Sequence, residues 1–187
     1  VTESYSVANS AAFKKEDSCE LDKTFGTAAS STKDGTLSVW FKQSNNFGSA
    51  GHHFMMAENT SGDLFKIDTT GDIIVQMAST NGKWTSSEEK LDIDRWHHLV
   101  VAYDLDNGTA TDRIQVYLDG VNITDNGTFN TAFSDTAMKI FQNSTACTIG
   151  GRAGSSTAGD YLFDGYMAEY CWCDGQVLDA DDFGQID

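Results

Sequence analysis

The sequence predicts an all-β fold, specifically a two-sheet antiparallel β-sandwich of the jelly-roll type. Short runs of β-branched and aromatic residues with period-two alternation recur along the chain. Clusters of Gly, Asn and Asp separate these runs. Pro is absent from all 187 residues, so the turns must be built from those residues and Ser. Helical periodicity is nearly absent, and about a dozen strands fit two packed sheets.

The alternating runs predict the positions of the strands. In chain order the predicted strands are 5–13, 19–21, 35–43, 52–57, 64–69, 72–78, 83–85, 96–104, 112–118, 121–124, 138–141, 147–150 and 161–173. Asp119-Gly120 in "YLDGVNIT" predicts a type I′ hairpin turn, and Gly71-Asp72 predicts a second turn. Asp179 is placed to cap one short helical turn near the end of the chain. With no linker, repeat or low-complexity tract, we expect a single domain over residues 1–187.

The stretch "DRWHHLVVAYD" holds two adjacent histidines, which could form a metal site, a catalytic pair or part of the core. In a strand, His98 shares a face with Trp96 and Val100, whereas His97 points to the opposite face. The pair therefore cannot chelate one ion together. Because both faces are apolar after His98, we expect an inner strand and a buried, hydrogen-bonded His98. His52-His53 meets the same geometric objection unless a bulge intervenes.

The charge of the chain excludes some partners. There are 28 acidic and 12 basic side chains, which give a formal charge of −16. Nucleic acid and anionic membranes require Lys and Arg clusters, and the sequence has none. No run approaches the roughly 18 apolar residues of a membrane span. We expect neither nucleic-acid binding nor membrane insertion.

Four cysteines leave the redox state open. Cys171 and Cys173 form a C-x-C pair whose side chains would lie on one face of a strand about 7 Å apart, long for a disulfide. The pair is also a poor zinc site without further ligands nearby in sequence. Four free thiols are expected, with a single bridge from Cys19 to Cys147 or Cys171 as the alternative.

Several blocks of the sequence resemble a known family. "GTLSVWFKQS", "RWHHLVVAYD", "DRIQVYLDGVNIT", "TIGG" and "YLFDGYMAEYCWCDGQVLDADDFG" occur in the order typical of laminin-G-like domains of the concanavalin A-like lectin/glucanase superfamily. The closing block is similar to domains in tail-fibre and other virion structural proteins of marine bacteriophages. The resemblance covers about residues 5–184. It implies two curved sheets, with the Trp-x-His strand as part of the wall.

The resemblance and the residues together suggest a non-enzymatic module at a virion surface, which binds a host-surface glycan. One alternative is a capsid or tail decoration protein that binds only other virion proteins, and a homotrimer is left open. A second alternative is a secreted cellular lectin, for which the five N-x-S/T sequons would be glycosylation sites. Glucanases of the superfamily carry an E-x-D-x-E-like strand. The nearest segment here, "EEKLDID", lacks the completing Glu, so we expect no catalytic residues and no enzyme activity.

Two groups of residues are candidate binding sites. Trp84 lies in the polar stretch "STNGKWTSS", which suggests an exposed aromatic platform for a sugar. A Gly/Ser-rich loop near one sandwich edge adds three further glycan-binding candidates: Arg152, Asp160 and Tyr161. The loop "DLDNGTATD" offers hard oxygen ligands for calcium: Asp104, Asp106, Asn107 and Asp112. No cofactor is required by this interpretation, and calcium is left open.

Overall fold

The fold is a sandwich of two antiparallel sheets, as predicted. The structure, a computed structural model, describes residues 9–27, 29–44, 51–57, 62–77, 81–87, 91–93, 95–140, 145–152 and 161–184. Within these residues there are thirteen strands and four short 3-10 turns, with no α-helix. None of the described helical segments is long and apolar enough to cross a membrane.

The chain passes back and forth between the two sheets, with runs of up to four consecutive strands in the same sheet. In chain order they are β1 (Ala11–Phe13), β2 (Leu21–Thr24), β3 (Asp34–Gln43), β4 (His52–Ala57), β5 (Leu64–Ile67), β6 (Ile73–Met77), β7 (Gly82–Thr85), β8 (His97–Asp104), β9 (Ile114–Leu118), β10 (Val121–Asn122), β11 (Thr128–Thr131), β12 (Ala146–Ile149) and β13 (Gly165–Asp174). The six-stranded sheet has the order β1-β13-β3-β8-β9-β10. The seven-stranded sheet has the order β11-β7-β6-β5-β4-β12-β2.

The core lies between the two sheets and is built from the period-two alternation. On β3, the side chains of Leu37, Val39 and Phe41 point inward and are fully buried. Phe41 meets Phe54 of the opposite sheet at a ring-centroid distance of 4.8 Å. Burial of each such side chain contributes about 1.5–3 kcal/mol, which makes these inner faces the main source of stability.

The histidine strand is an inner strand, as predicted. β8 lies between β3 and β9, and its residues 97–103 are all buried. The His98 ring stacks on Trp40 at 4.7 Å, and its Nε2 lies 2.8 Å from the Ser38 hydroxyl. Burial lowers the pKa of His98, although Asp119 and Glu169 act against the shift. The neutral ring therefore fits a wall position.

The predicted turn at Asp119-Gly120 and the predicted cap at Asp179 are confirmed, and Gly71 also lies in a turn, with φ of 94°. Asp119 and Gly120 have φ of 50° and 81°, the positive values that a type I′ turn requires at both central positions. The Asp119 carboxylate also accepts hydrogen bonds from the His97 ring at 2.8 Å and from the His98 N–H at 2.9 Å. At the other end of the chain, Asp179 caps the 3-10 turn Ala180–Phe183 in a reciprocal capping box with Asp182.

One predicted strand is wrong and one strand was missed. The strand predicted at 138–141 does not form in its described residues 138–140. Met138 and Ile140 are buried in alternation, as in a strand, but their backbone N–H groups do not bond to a neighbouring strand. The Met138 N–H donates to the Thr32 carbonyl, and the Asp63 carboxylate accepts from the Lys139 and Ile140 N–H groups. β11 escaped prediction because its four residues are mostly exposed.

The closing segment covers the outer face of the six-stranded sheet. The Thr36 hydroxyl donates to the Gln176 carbonyl at 2.7 Å and accepts from the Leu178 N–H at 3.0 Å. Phe183 packs edge-on against His98 at 6.4 Å. This cover explains why the outward residues Thr36, Ser38 and Trp40 are almost fully buried.

Candidate functional site

Two of the predicted glycan-binding residues meet at one corner of the seven-stranded sheet. The guanidinium carbon of Arg152 lies 4.4 Å from the centroid of the Tyr161 ring. The Tyr161 ring in turn packs edge-on against His53 at 5.4 Å. Arg152 and Tyr161 are half-buried, whereas His53 is buried beneath them. We call these three residues the Arg152 corner.

Two glycines at the end of β12 set the path of the chain into this corner. Gly150 has φ of 77°, and a Cβ there would stand 2.5 Å from the Phe13 ring. A Cβ on Gly151 would collide with the Glu20 carboxylate and approach Leu162. The Gly150 carbonyl accepts from the Phe163 N–H at 2.8 Å. This bond brings the Tyr161 segment back alongside Arg152.

A β-bulge in β4 follows the two histidines and does not bring them onto one face. The register with β5 shifts between His53 and Met55, so that Phe54 and Met55 both face the core. His52 also faces inward, against Phe163 at 5.2 Å, and His53 faces outward. The adjacent histidines therefore do not form one site, in agreement with the sequence argument.

Within the described part of the chain, the Glu20 carboxylate contacts the backbone of Arg152 and not its Nε. The Arg152 backbone N–H bonds to the Glu20 carboxylate, which lowers the pKa of Glu20, but burial and the neighbouring Asp22 raise that pKa by more. Among the described residues, the Arg152 Nε has no hydrogen-bond partner although it is shielded from solvent. A guanidinium offers five donors in a fixed fork, suited to carboxylates and neighbouring hydroxyls.

Two lysines extend the positive charge along the same face of the sheet. Lys66 lies directly opposite His53 in the β4–β5 register, and Lys83 lies close enough to influence it. Burial lowers the pKa of Lys66, Asp68 acts in the opposite direction, and Lys83 lowers it further. Glu20, Asp22 and Asp68 lie beside these cations, so the face carries charges of both signs in a chain with a formal charge of −16.

The prediction that Trp84 is an exposed platform is wrong. The ring is 0% exposed and its Nε1 donates to the Thr124 carbonyl at 3.0 Å. Phe129 of β11 lies opposite it in register, and Gly127 passes so close that a Cβ would collide with the indole. The polar neighbours of Trp84 in sequence concealed that its ring faces the core between the two sheets, where it belongs to the main buried cluster. The fourth candidate, Asp160, lies outside the described residues.

Cationic side chains of the protein itself contact the predicted calcium loop. The Lys33 ammonium lies 2.5 Å from the Asp106 carboxylate. The Arg113 Nε donates to the Asn107 carbonyl at 2.8 Å, and its Nη1 donates to the Phe133 carbonyl at 2.7 Å. The Asn107 side chain accepts from the Thr109 N–H at 2.9 Å.

The four predicted ligands consequently do not converge. Asp104 ends β8, and Asp112 lies on the separate 3-10 turn Ala110–Asp112. No group of three or more His, Cys, Asp or Glu side chains within the described residues could hold a metal ion. Calcium binding by Asp104, Asp106, Asn107 and Asp112 stays a prediction that this geometry does not favour.

Sequence reasoning missed one exposed aromatic pair. Trp96, which was expected in the core, is half-buried and packs against Tyr166 at 6.5 Å. Tyr166 is 45% exposed and lies on the outer side of β13. The only sequence signal was that Tyr166 has the parity of the outward residue Ala168, which is a weak signal because Ala168 itself is buried.

The family comparison agrees with this architecture. A laminin-G-type family model, described as the concanavalin A-like lectin/glucanases superfamily, matches residues 15–181. The chain belongs to this superfamily. A comparison with curated proteins gives no match.

Several solved structures share the fold at low sequence identity. NanB sialidase from Streptococcus pneumoniae superimposes with a TM-score of 0.62 at 16% identity, over 98% of this chain and 28% of the sialidase. Tailspike protein 2 from Escherichia coli O157:H7 bacteriophage CAB120 gives 0.55 at 14% identity, over 94% and 24%. The CBM40 of a Ruminococcus gnavus IT-sialidase gives 0.51 at 13% identity, over 87% and 95%. The chain thus spans about a quarter of the two larger proteins and nearly all of the third.

Proposed function

We propose that this superfamily member is a non-enzymatic glycan-binding module on an extracellular surface, and that the Arg152 corner contacts the glycan. The single observation that carries the proposal is the half-exposed guanidinium–tyrosine pair, with its centroid distance of 4.4 Å. The module would serve in a phage virion protein that recognises a host-surface glycan.

The chemistry of the corner fits sugar recognition. A sugar presents hydroxyl groups around its rim and an apolar C–H face. The guanidinium donates to the hydroxyls, and an aromatic ring edge beside it supplies apolar contact. His53 holds the tyrosine ring from below, so little side-chain entropy is lost on binding.

The comparisons support an extracellular, glycan-binding role through the shared fold. The superfamily includes lectins by its description, and the similar structures include a tailspike protein and a CBM40. The fold alone does not determine a ligand. The choice of site therefore rests on the Arg152 corner, and the phage setting rests on the resemblance of the closing block of the sequence.

The direct test is an array of bacterial and algal glycans, probed with the purified chain in calcium and again in EDTA. We expect binding in both buffers, because no residue of the Arg152 corner needs a metal. Tyr161→Ala should abolish the signal, whereas the matched variant Tyr166→Ala should retain it. Loss of binding in EDTA, or retention of binding in Tyr161→Ala, would contradict the proposed site.

A second candidate function is decoration or assembly through other virion proteins. An apolar cleft of about 340 Å³ opens at one side edge of the sandwich, between β1 and β13 of one sheet and β2 and β12 of the other. Leu21 at its rim is 59% exposed. Exposed apolar surface of this kind favours a protein partner. An absence of glycan binding in both buffers, together with a trimer in light scattering that Leu21→Ser dissociates, would favour this function.

A further inference from the structure

The thiols of Cys171 and Cys173 lie close together on the outer face of the six-stranded sheet. Their sulfur atoms are 3.6 Å apart. Cys171 is exposed and Cys173 is half-buried, and neither is in a disulfide. The sequence argument placed these side chains about 7 Å apart on one strand face. The two sulfurs instead lean toward each other until they are in contact.

The backbone that carries Cys171 and Cys173 is held on one side by its pairing with β3. Cys171 lies opposite Ser38, and Cys173 lies opposite Thr36, in the β13–β3 ladder. Thr36 is in turn bonded to the closing segment at Gln176 and Leu178. A ligand that bridges the sulfurs would therefore find them already placed, with little backbone ordering to be done.

The distance between the two sulfur atoms is close to the distance between two sulfur ligands of one metal ion. A tetrahedral ion with metal–sulfur bonds of about 2.3 Å holds two sulfur ligands about 3.8 Å apart. No third His, Cys, Asp or Glu completes a metal-binding group within the described residues. Two sulfurs without further protein ligands do not suit calcium or magnesium, which take oxygen ligands, and suit soft ions that prefer thiolates.

We propose that Cys171 and Cys173 form a bidentate site for a soft, thiophilic metal cation. On binding, the two S–H bonds break, two metal–sulfur bonds form, and two protons pass to the solvent. The oxidation states of the metal and the sulfurs do not change. The other coordination positions of the ion remain open to water or to a small ligand.

The other two cysteines provide natural controls. Cys147 is buried, at 4% exposure, and cannot reach an ion from solvent without unfolding. Cys19 is half-buried and lies just before β2, the edge strand of the seven-stranded sheet, whereas Cys171 and Cys173 lie on the outer face of the other sheet. Cys19→Ser therefore removes one thiol without touching the proposed site.

The test is a titration of the reduced full-length chain with Cd²⁺, followed by the ultraviolet thiolate-to-metal charge-transfer absorption. We expect one Cd²⁺ per chain. Cys171→Ser and Cys173→Ser should each weaken binding by about a hundredfold, because the second sulfur bond is intramolecular. Cys19→Ser should bind like the unaltered chain.

Two outcomes would overturn the proposal. One is Cd²⁺ affinity in Cys171→Ser or Cys173→Ser within threefold of the unaltered chain. The other is an equal loss of affinity in Cys19→Ser. Far-ultraviolet circular dichroism would identify a variant that fails to fold. In that event, alkylation of the exposed Cys171 in the folded chain, followed by the same titration, gives the answer without a substitution. Glycan binding has no part in this site and should be unaltered in both cysteine variants.

Discussion

The loop at residues 104–113 and the Arg152 corner each place an arginine next to a strand, Arg113 just before β9 and Arg152 just after β12, but they use it differently. In the loop, the Arg113 guanidinium donates to the carbonyls of Asn107 and Phe133. These hydrogen bonds hold the backbone of the loop in place. In the corner, the Arg152 guanidinium lies over an aromatic ring and its Nε has no partner among the described residues. The first arrangement stabilises the fold, and we propose that the second serves a ligand.

The largest effect should come from removing the loop arginine. Arg113→Ala deletes two hydrogen bonds from a charged donor and leaves two carbonyls without that partner, so we expect a loss of about 3 kcal/mol in the free energy of unfolding. Urea unfolding measures it. Arg113→Lys keeps the charge without the fork and should recover only part of the loss. A loss below about 0.5 kcal/mol in Arg113→Ala would show that the guanidinium does not hold the loop.

A second substitution tests the corrected position of Trp84. Trp84→Phe removes the bond from Nε1 to the Thr124 carbonyl and leaves space in the core. We expect a loss of about 2 kcal/mol in the free energy of unfolding, with glycan affinity unchanged at a temperature where the chain is folded. If Trp84→Phe left stability unaltered and abolished glycan binding, the ring would be a platform after all.

Some parts of the structure could be predicted from the sequence, and others could not. The alternation of apolar residues was sufficient to predict the strands β3 and β8 and their place in the core. The Asp119-Gly120 turn and the Asp179 cap are local effects that a few residues determine. Trp84 was misjudged because its polar neighbours mask its inward direction on β7, and the segment that contacts its indole, at Thr124 and Gly127, is about forty residues away in the sequence.

Charged residues were harder to interpret than apolar ones. Asp106 and Asn107 have the composition of a calcium loop, but Lys33 and Arg113 reach them from elsewhere in the chain. Arg152 and Tyr161 were singled out from a loop composition alone, and their contact depends on Gly150 and Gly151 turning the chain. Charge in a sequence predicts a site only where folding leaves that charge without an internal partner.

A smaller effect is expected at Glu20, beside the corner. Burial, and then Asp22, raise the pKa of Glu20 in the folded state above its ordinary value. Ionised Glu20 thus costs stability at pH 7, and the cost vanishes below the unfolded pKa of about 4.3. Glu20→Gln should gain less than about 1 kcal/mol at pH 7 and nothing at about pH 3. Equal gains at both values of pH, measured by urea unfolding, would contradict a pKa effect.

The smallest effect is expected from calcium. The Lys33 ammonium and the Arg113 guanidinium already contact the acidic loop, so millimolar calcium should move the melting temperature by less than about 1 °C relative to EDTA. Differential scanning calorimetry measures the shift. A rise of several degrees, abolished in Asp104→Asn, would restore the calcium prediction for this loop.

The central claim is that Arg152 serves a ligand while Arg113 serves the fold. The most direct measurement is the affinity of Arg152→Ala and Arg113→Ala for the glycan with the strongest array signal, by isothermal titration calorimetry at a temperature where both variants are folded. We predict that Arg152→Ala weakens binding at least about tenfold, a change of about 1.4 kcal/mol, and that Arg113→Ala stays within about twofold of the unaltered chain. Equal affinities for the two variants, or a loss confined to Arg113→Ala, would contradict the account.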